Sequence, residues 1–469
     1  MTRPVALLIL LILTSVAHAE KTPNIVLLIG DDHGYPYFGF MGDDTVVTPS
    51  MDAIAEGGVT FTQGHVPIPY CRPSLRTMIT GLYPAQYQLK LNAHVEKELA
   101  TDQKYASMSD RDKAMWMSVA KANGMSQFDT LPRLLKEKGY VSWQGGKWWE
   151  NSYKTAGFDE GMSPGWDMEK FGTDDFFHEM MGAEGNELVR ETMDPLYDFI
   201  DRQKDNPMFI WFGPMLPHTP LDAPYTYSKF YEHKDLTVSA KKYYSNITWW
   251  DDGVSQLMDY LEAAGELDNT LFIYLSDNGW EQDPDVEYWE SGFVFGTGSS
   301  EWQTGGYGGK GSMNDLGLRT PIIFYWKDGL DATFNDKSLV SSADLVPTIL
   351  DIVGIDAPDE LPGRSLKPLL TGEGDYEERV EMIGYTDNKR SPDDKMGVRS
   401  EGWAVRTHEW HFWYYPNEDE MRLYDVVNDP RGTVDVSAEH PDLVDQFKLS
   451  ISAYKRQFGM PEDTLTVYE

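Results

Sequence analysis

The chain has 469 residues, with 76 Asp and Glu against 40 Lys and Arg, and a net charge of −36. A field that negative repels a polyanion, so nucleic acid is excluded as an expected partner. One cysteine in the whole chain excludes an internal disulfide framework.

Residues 1–19 read MTRPVALLILLILTSVAHA. Arg3 precedes an unbroken apolar run, and Ala17-His18-Ala19 closes it as a small-x-small site. These are the parts of a secretory signal peptide. The run is short of the roughly 20 apolar residues a bilayer span needs, and no later segment approaches that length. The expectation is an exported protein, periplasmic or extracellular, with no membrane span. NIVLLIG (residues 24–30) is an apolar run of the kind a buried parallel strand needs. Residues after Cys71 look helical, with Pro73 near the start. Residues 92–127 are polar and helix-prone, and TLPRLLKEKGY (130–140) is a helix stopped by Gly139. PMFIWFGPM (207–215), TLFIYLS (270–276) and PIIFYW (321–326) repeat the pattern of the first strand. Helices are expected at 247–267, with Gly265 as the stop, and at 343–355. Residues 279–309 have no period but carry Trp280, Tyr288, Trp289, Phe293, Phe295, Trp302 and Tyr307. Such a loop binds a ligand or packs its rings on the protein. After about residue 375 short strands appear at 402–416 and 421–427, then a helix at 439–458.

Strands alternating with helices imply an α/β fold: a large mixed, mostly parallel sheet covered by helices on both faces. The change of texture implies a smaller C-terminal α+β subdomain with an antiparallel sheet. The expected division is a signal peptide at 1–19, a main domain at 20–375 and a C-terminal subdomain at 376–469.

Ligands of parallel sheets bind outside the carboxyl ends of the strands. The strand at 24–30 runs into Asp31-Asp32, and that at 270–276 into Asp277-Asn278. Paired carboxylates are costly there unless they are compensated. As hard oxygen ligands they suit Ca²⁺, or Mg²⁺ as the alternative. Lys147, hemmed in by Gly146 and Trp148, His218 in PHTP and Lys310 in GGKG fall at comparable places. Lysines, a histidine and a divalent cation together would bind a tetrahedral oxyanion and stabilise charge developing on it. Cys71 is left as a buried inert thiol, an intermolecular link or a reactive group.

Taken in order, PNIVLLIGDD, Cys71-x-Pro-Ser, GGKW, PHTP, LSDNG, GGKGS with LRTPIIF, SSADLVPTILDIVGI and LYDVVNDP resemble a type I sulfatase of the alkaline-phosphatase-like superfamily. The resemblance spans nearly all of the chain after residue 19 and implies a sulfuric ester hydrolase. A maturation enzyme would oxidise Cys71 to formylglycine, an aldehyde. Its hydrate would attack sulfur, form a covalent sulfate ester and then expel sulfate. The resemblance assigns the metal to Asp31, Asp32, Asp277 and Asn278, with residue 71 also on it. It assigns the sulfate to Lys147 and Lys310, and leaving-group protonation to His218. Two positions depart from the family pattern. Leu75 stands where an arginine is usual, and Trp149 where a histidine follows GKW; both usual groups contact the aldehyde hydrate. Arg72 or Arg76 is expected to replace the missing arginine in part. The aromatic loop points to a sulfated small molecule or oligosaccharide as substrate. Two alternatives stand beside this reading: a phosphate or phosphonate monoester hydrolase of the same superfamily, and a catalytically silent glycan-binding protein.

Overall fold

The computed structural model describes residues 21–170, 173, 175–281, 284–285, 309–387, 401–416 and 419–460. The expected signal peptide lies outside these residues, as do Tyr288, Trp289, Phe293, Phe295, Trp302 and Tyr307 of the aromatic loop.

The described strands are β1 (Asn24–Gly30), β2 (Val59–Phe61), β3 (Gly64–His65), β4 (Val141–Gly146), β5 (Glu160–Gly161), β6 (Met208–Gly213) and β7 (Thr270–Ser276), followed by β8 (Ile322–Tyr325), β9 (Thr333–Asn335), β10 (Val340–Ser341), β11 (Met382–Asp387), β12 (Glu401–Arg406), β13 (Trp410–Tyr415) and β14 (Glu420–Asp425). Eight of them make one sheet in the order β5-β4-β6-β1-β7-β8-β2-β9. Its four central strands, β4, β6, β1 and β7, are mutually parallel. Alternation along β1 feeds two cores. Ile25, Leu27 and Ile29 pack on one face with α2 (Cys71–Thr80) and the helix Leu345–Val353. Val26 and Leu28 pack on the other with α1 (Pro49–Gly57) and the helices Asp194–Gln203 and Val238–Ala263. The mixed, mostly parallel sheet with helices on both faces is thus as expected.

Two elements differ from the sequence reading. β8, within the segment 321–326, is antiparallel to both of its neighbours rather than parallel. An antiparallel strand needs no crossover, and the described part of the connection from β7 enters β8 through the segment bearing Lys310. The helix expected at 247–267 begins instead at Val238, where the Thr237 hydroxyl accepts from Ala240 N, and runs to Ala263. Its first turns are polar enough to conceal it. Residues 92–127 form the end of α3 (Pro84–Leu99) and α4 (Asp110–Gly124) with their connections.

The C-terminal strands form a separate antiparallel sheet in the order β11-β12-β13-β14. The helix Pro441–Gln457 covers it with Phe447, Ile451 and Tyr454. Between the two sheets Asp315 is buried among cations. His65 Nε2 donates to its Oδ1 at 2.8 Å and Arg406 Nε at 3.0 Å, while Arg319 Nη1 stands 3.6 Å from its Oδ2. His411 Nε2 donates to Met313 O at 2.7 Å, and Tyr415 OH accepts from Met313 N at 2.9 Å. The C-terminal sheet therefore grips the segment that carries Lys310.

Burial holds the His411 imidazole down to about 4 from an ordinary 6.5, against the pull of Asp315. A histidine depressed by folding contributes stability above its unfolded value and loses it as pH falls toward the folded one. Urea unfolding is expected to show stability falling from pH 6.5 toward 4. His411→Gln, which cannot charge, is expected to lose less across that window. An equal loss in both proteins would remove His411 from the account.

Candidate active site

The register builds the site. β1 and β7 pair from Asn24↔Thr270 to Gly30↔Ser276, so Asp31-Asp32 and Asp277-Asn278 leave the sheet side by side. Asp277 N donates to Gly30 O, and Asp32 N donates to Asp277 Oδ1 at 3.0 Å. β4 pairs with β6 through Gly146↔Gly213, which sets Lys147 in the same row. Gly146 is obligatory there. Its φ is +90°, and a Cβ would fall 1.8 Å from Gly213 O. Lys147 N then donates to Gly213 O at 2.7 Å. Asp32 also adopts the left-handed region, with φ 64°. Tyr243 OH donates to its carbonyl at 2.7 Å and accepts from Gly34 N at 2.8 Å, bracing that bend.

Cys71 opens α2 and is buried beside this row. Lys147 Nζ donates to its Sγ at 3.3 Å and to Asp31 Oδ1 at 2.7 Å. Lys310 Nζ donates to Asp32 Oδ2 at 2.8 Å. His218 Nε2 stands 3.6 Å from that same oxygen and 3.8 Å from Glu281 Oε2. Its Nδ1 donates to Thr219 O at 2.6 Å. One ligand atom each from Asp31, Asp32, Cys71 and His218 lies within 4.8 Å of the others. Lys147, His218 and Lys310, far apart in sequence, are thereby brought to Cys71 and the paired aspartates.

The electrostatics follow from burial. Burial pushes the Asp31 carboxyl well above the usual carboxylate range, with Lys147 opposing. Asp277 is raised by burial and by the charge of Asp32. Burial also opposes the ionisation of Asp32, but Lys310 and His218 hold it below the usual range. The Cys71 thiol is driven well above its ordinary value by burial, despite Lys147 and Lys310. As a thiol it is therefore a poor nucleophile, since the thiolate is the reactive form. His218 is lowered to about 4, by burial first and then Lys147, with Glu281 opposing.

Three buried oxygens, Asp31 Oδ2, Asp277 Oδ2 and Asn278 Oδ1, find no hydrogen-bond partner among the described residues. All three belong to the four residues the sequence reading assigned to a metal. Buried polar atoms of this kind are costly unless something satisfies them. At full ionisation Asp31, Asp32 and Asp277 outnumber Lys147 and Lys310 by one negative charge. An all-oxygen donor set with that charge fits a hard divalent cation.

The arginines behave differently from expectation. Arg72 and Arg76 make no hydrogen bond to Cys71; both guanidinium groups are engaged by Glu150. Arg76 is five positions along a regular helix from Cys71, too far around its axis to face it. Leu75 instead fills core. Trp149 packs against the same core, with Lys147 Nζ 5.7 Å from its ring centroid. Trp280 of the aromatic loop is buried against Tyr37 and other rings, so it packs on the protein. Glu150, Tyr243 and Glu281 escaped the sequence reading. Glu281 lies three residues beyond Asn278, which is the one available signal.

A sulfatase family model matches residues 23–355. The chain belongs to the sulfatase family, and with it to the sulfuric ester hydrolases. A second model, described as N-sulphoglucosamine sulphohydrolase, C-terminal, matches residues 304–457. An N-acetylglucosamine-6-O-sulfatase of Bacteroides thetaiotaomicron is 22% identical over 88% of this chain and 82% of its own length. Human N-acetylgalactosamine-6-sulfatase is 25% identical over 75% of this chain and 66% of its own. The solved structure of BT4656 in complex with its substrate D-glucosamine-2-N,6-O-disulfate superposes with a TM-score of 0.63 at 17% identity, covering 94% of this chain and 98% of that one. At that identity the likeness speaks for the fold. The family implies a divalent metal and a formylglycine made from cysteine.

A cation that satisfies the three oxygens is expected to raise the melting temperature. The gain is about 2.7 kcal/mol at a hundredfold excess over Kd. Asp277→Asn is expected to abolish that rise, while without metal the variant should be no less stable than the wild type. Thermal scans with chelator and with added metal read both. A rise that survives in Asp277→Asn would place the ion elsewhere.

Proposed function

We propose that this sulfatase removes sulfate from a sulfated carbohydrate outside the cytoplasm, with Cys71 matured to formylglycine and Ca²⁺ held by Asp31, Asp32, Asp277 and Asn278. One observation carries the reading. The only cysteine, buried and uncharged, touches Lys147 and Asp32 beside three unpaired oxygens. Sulfated amino sugars enter as a substrate class through the names of the relatives. Export rests on the residues 1–19 pattern, and no described helix is long and apolar enough to cross a membrane.

The chain's own residues divide the work. Lys147 and Lys310 are placed to bind the sulfate oxygens, exchanging their bonds to Asp31 and Asp32 for bonds to the anion. Once turned to the anion, ammonium groups in a dry site stabilise the charge developing on its oxygens. With Thr219 O fixing the ring through Nδ1–H, His218 Nε2 must first take up a proton, which the charge of a bound anion favours, before the imidazolium hands it to the leaving sugar oxygen. When present, the aldehyde hydrate at residue 71 supplies the attacking hydroxyl, and the cation supplies the positive charge that favours its ionised form. A monoanionic sulfate ester suits a pocket with few positive charges better than a dianionic phosphate monoester does.

Protein produced with a maturation enzyme and calcium, tested on a panel of sulfated mono- and oligosaccharides, is expected to release sulfate. Lys310→Ala and His218→Ala are each expected to lower kcat by about 10²–10³. Faster release of phosphate from phosphate monoesters, or alanine variants within a few-fold of the wild type, would overturn the assignment.

A further inference from the structure

Glu150 lies three residues after Lys147 and is almost fully buried. Its carboxylate is gripped from two sides by α2. Arg72 Nε donates to Oε1 at 2.9 Å and Nη2 to Oε2 at 3.1 Å. Arg76 Nε donates to Oε1 at 2.8 Å and Nη2 to Oε2 at 3.0 Å. Two side-on, two-bond pairs therefore share one carboxylate, the most directional form such a pair takes. Arg72 also donates to the Ser118 hydroxyl at 2.6 Å and carbonyl at 3.2 Å, tying α4 into the cluster. Like charges four positions apart repel along a helix. On α2 that repulsion is offset by Glu150, which comes from a different element.

The location matters more than the bonds. Arg72 adjoins Cys71, and Glu150 is on the turn that delivers Lys147. The cluster thus fastens the first turn of the nucleophile's helix to the turn of the sulfate-binding lysine, whose Nζ is 3.3 Å from Sγ. Leu75 is packed into core and Trp149 against it, at the two positions where the family usually has an arginine and a histidine, so neither offers an ionic hold on residue 71. We propose that Glu150, clamped between Arg72 and Arg76, is the positioning residue that sets residue 71 against Lys147 for attack on sulfur. This rests on the sulfatase reading above for its consequence in turnover, but not for the geometry. Errors of about 1 Å in the placement of reacting groups cost roughly 10²-fold in rate.

Three variants, matched for conversion of Cys71 by peptide mass, separate position from charge: Glu150→Gln, Arg76→Gln, and the double Arg76→Gln/Glu150→Gln. The double variant keeps the net charge of the cluster but loses the clamp, and it avoids stranding two facing cations should Glu150→Gln fold poorly. Both variants lacking the carboxylate are expected to lose about 10-fold to 10²-fold in kcat, with KM within a few-fold of the wild type. Recovery of kcat in the double variant would assign the effect to charge and overturn the proposal. So would a loss confined to KM, or one that vanishes at temperatures well below the melting point. A second readout needs no turnover: alkylation of unconverted Cys71 by iodoacetamide is expected to be several-fold faster in the double variant. Unchanged alkylation with normal kcat overturns the clamp. A wild type inactive on every sulfated sugar, but with accelerated alkylation in the variant, leaves the clamp standing and sinks the substrate assignment instead.

Discussion

β1 and β7 run parallel in register, so Asp31, Asp32 and Asp277 leave the sheet together with their carboxyl groups stripped of water. Three anions so placed repel one another in a medium that screens poorly. Much of the surrounding structure compensates for that arrangement. Lys147 reaches Asp31, Lys310 reaches Asp32, and Asp32 N and Asn278 Nδ2 donate into the carboxylates. What remains uncompensated is three oxygen atoms and one negative charge. The remainder has the shape and sign that a divalent cation would meet, and with it the site turns attractive to an anion despite the overall charge of −36. Local arrangement overrides the net field because close pairs in a buried site are screened far less than distant surface charges.

The same constraint explains where the backbone is unusual. Asp32 takes a left-handed conformation that an aspartate tolerates better than a bulky residue, and Tyr243 of the helix Val238–Ala263 holds its carbonyl. Gly146 lets β4 approach Gly213 so closely that no side chain would fit. Rigid supports of this kind come from helices and strands, while Asp31, Asp32, Lys147, Asp277 and Asn278 stand just past the strand ends.

The second sheet takes part in this as well. Through Arg406, His411 and Tyr415 it fixes Asp315 and Met313, a few residues from Lys310. Strand β8 runs against both of its neighbours, and the segment that leads into it carries Lys310 to Asp32. The reversed strand and the placement of Lys310 thus belong to one segment of the chain.

The sequence alone determined the elements whose signal is local. NIVLLIG and TLFIYLS announced buried strands by composition, the acids after them announced a ligand end, and the helix after Cys71 was legible from its pattern. It also singled out Lys147 and Lys310, hemmed in by glycine or tryptophan, and His218 in PHTP. Periodicity cannot report direction, so it missed the reversal of β8, and a polar first turn hid the start of the helix at Val238. It could not choose a partner for Arg72 and Arg76 either. Their carboxylate is Glu150, more than seventy positions away, and only the tertiary fold brings the segment after β4 up to α2. Patterns within a few residues are fixed by backbone geometry and burial, whereas the pairing of charges distant in sequence is decided by which chain ends the folded sheet sets side by side.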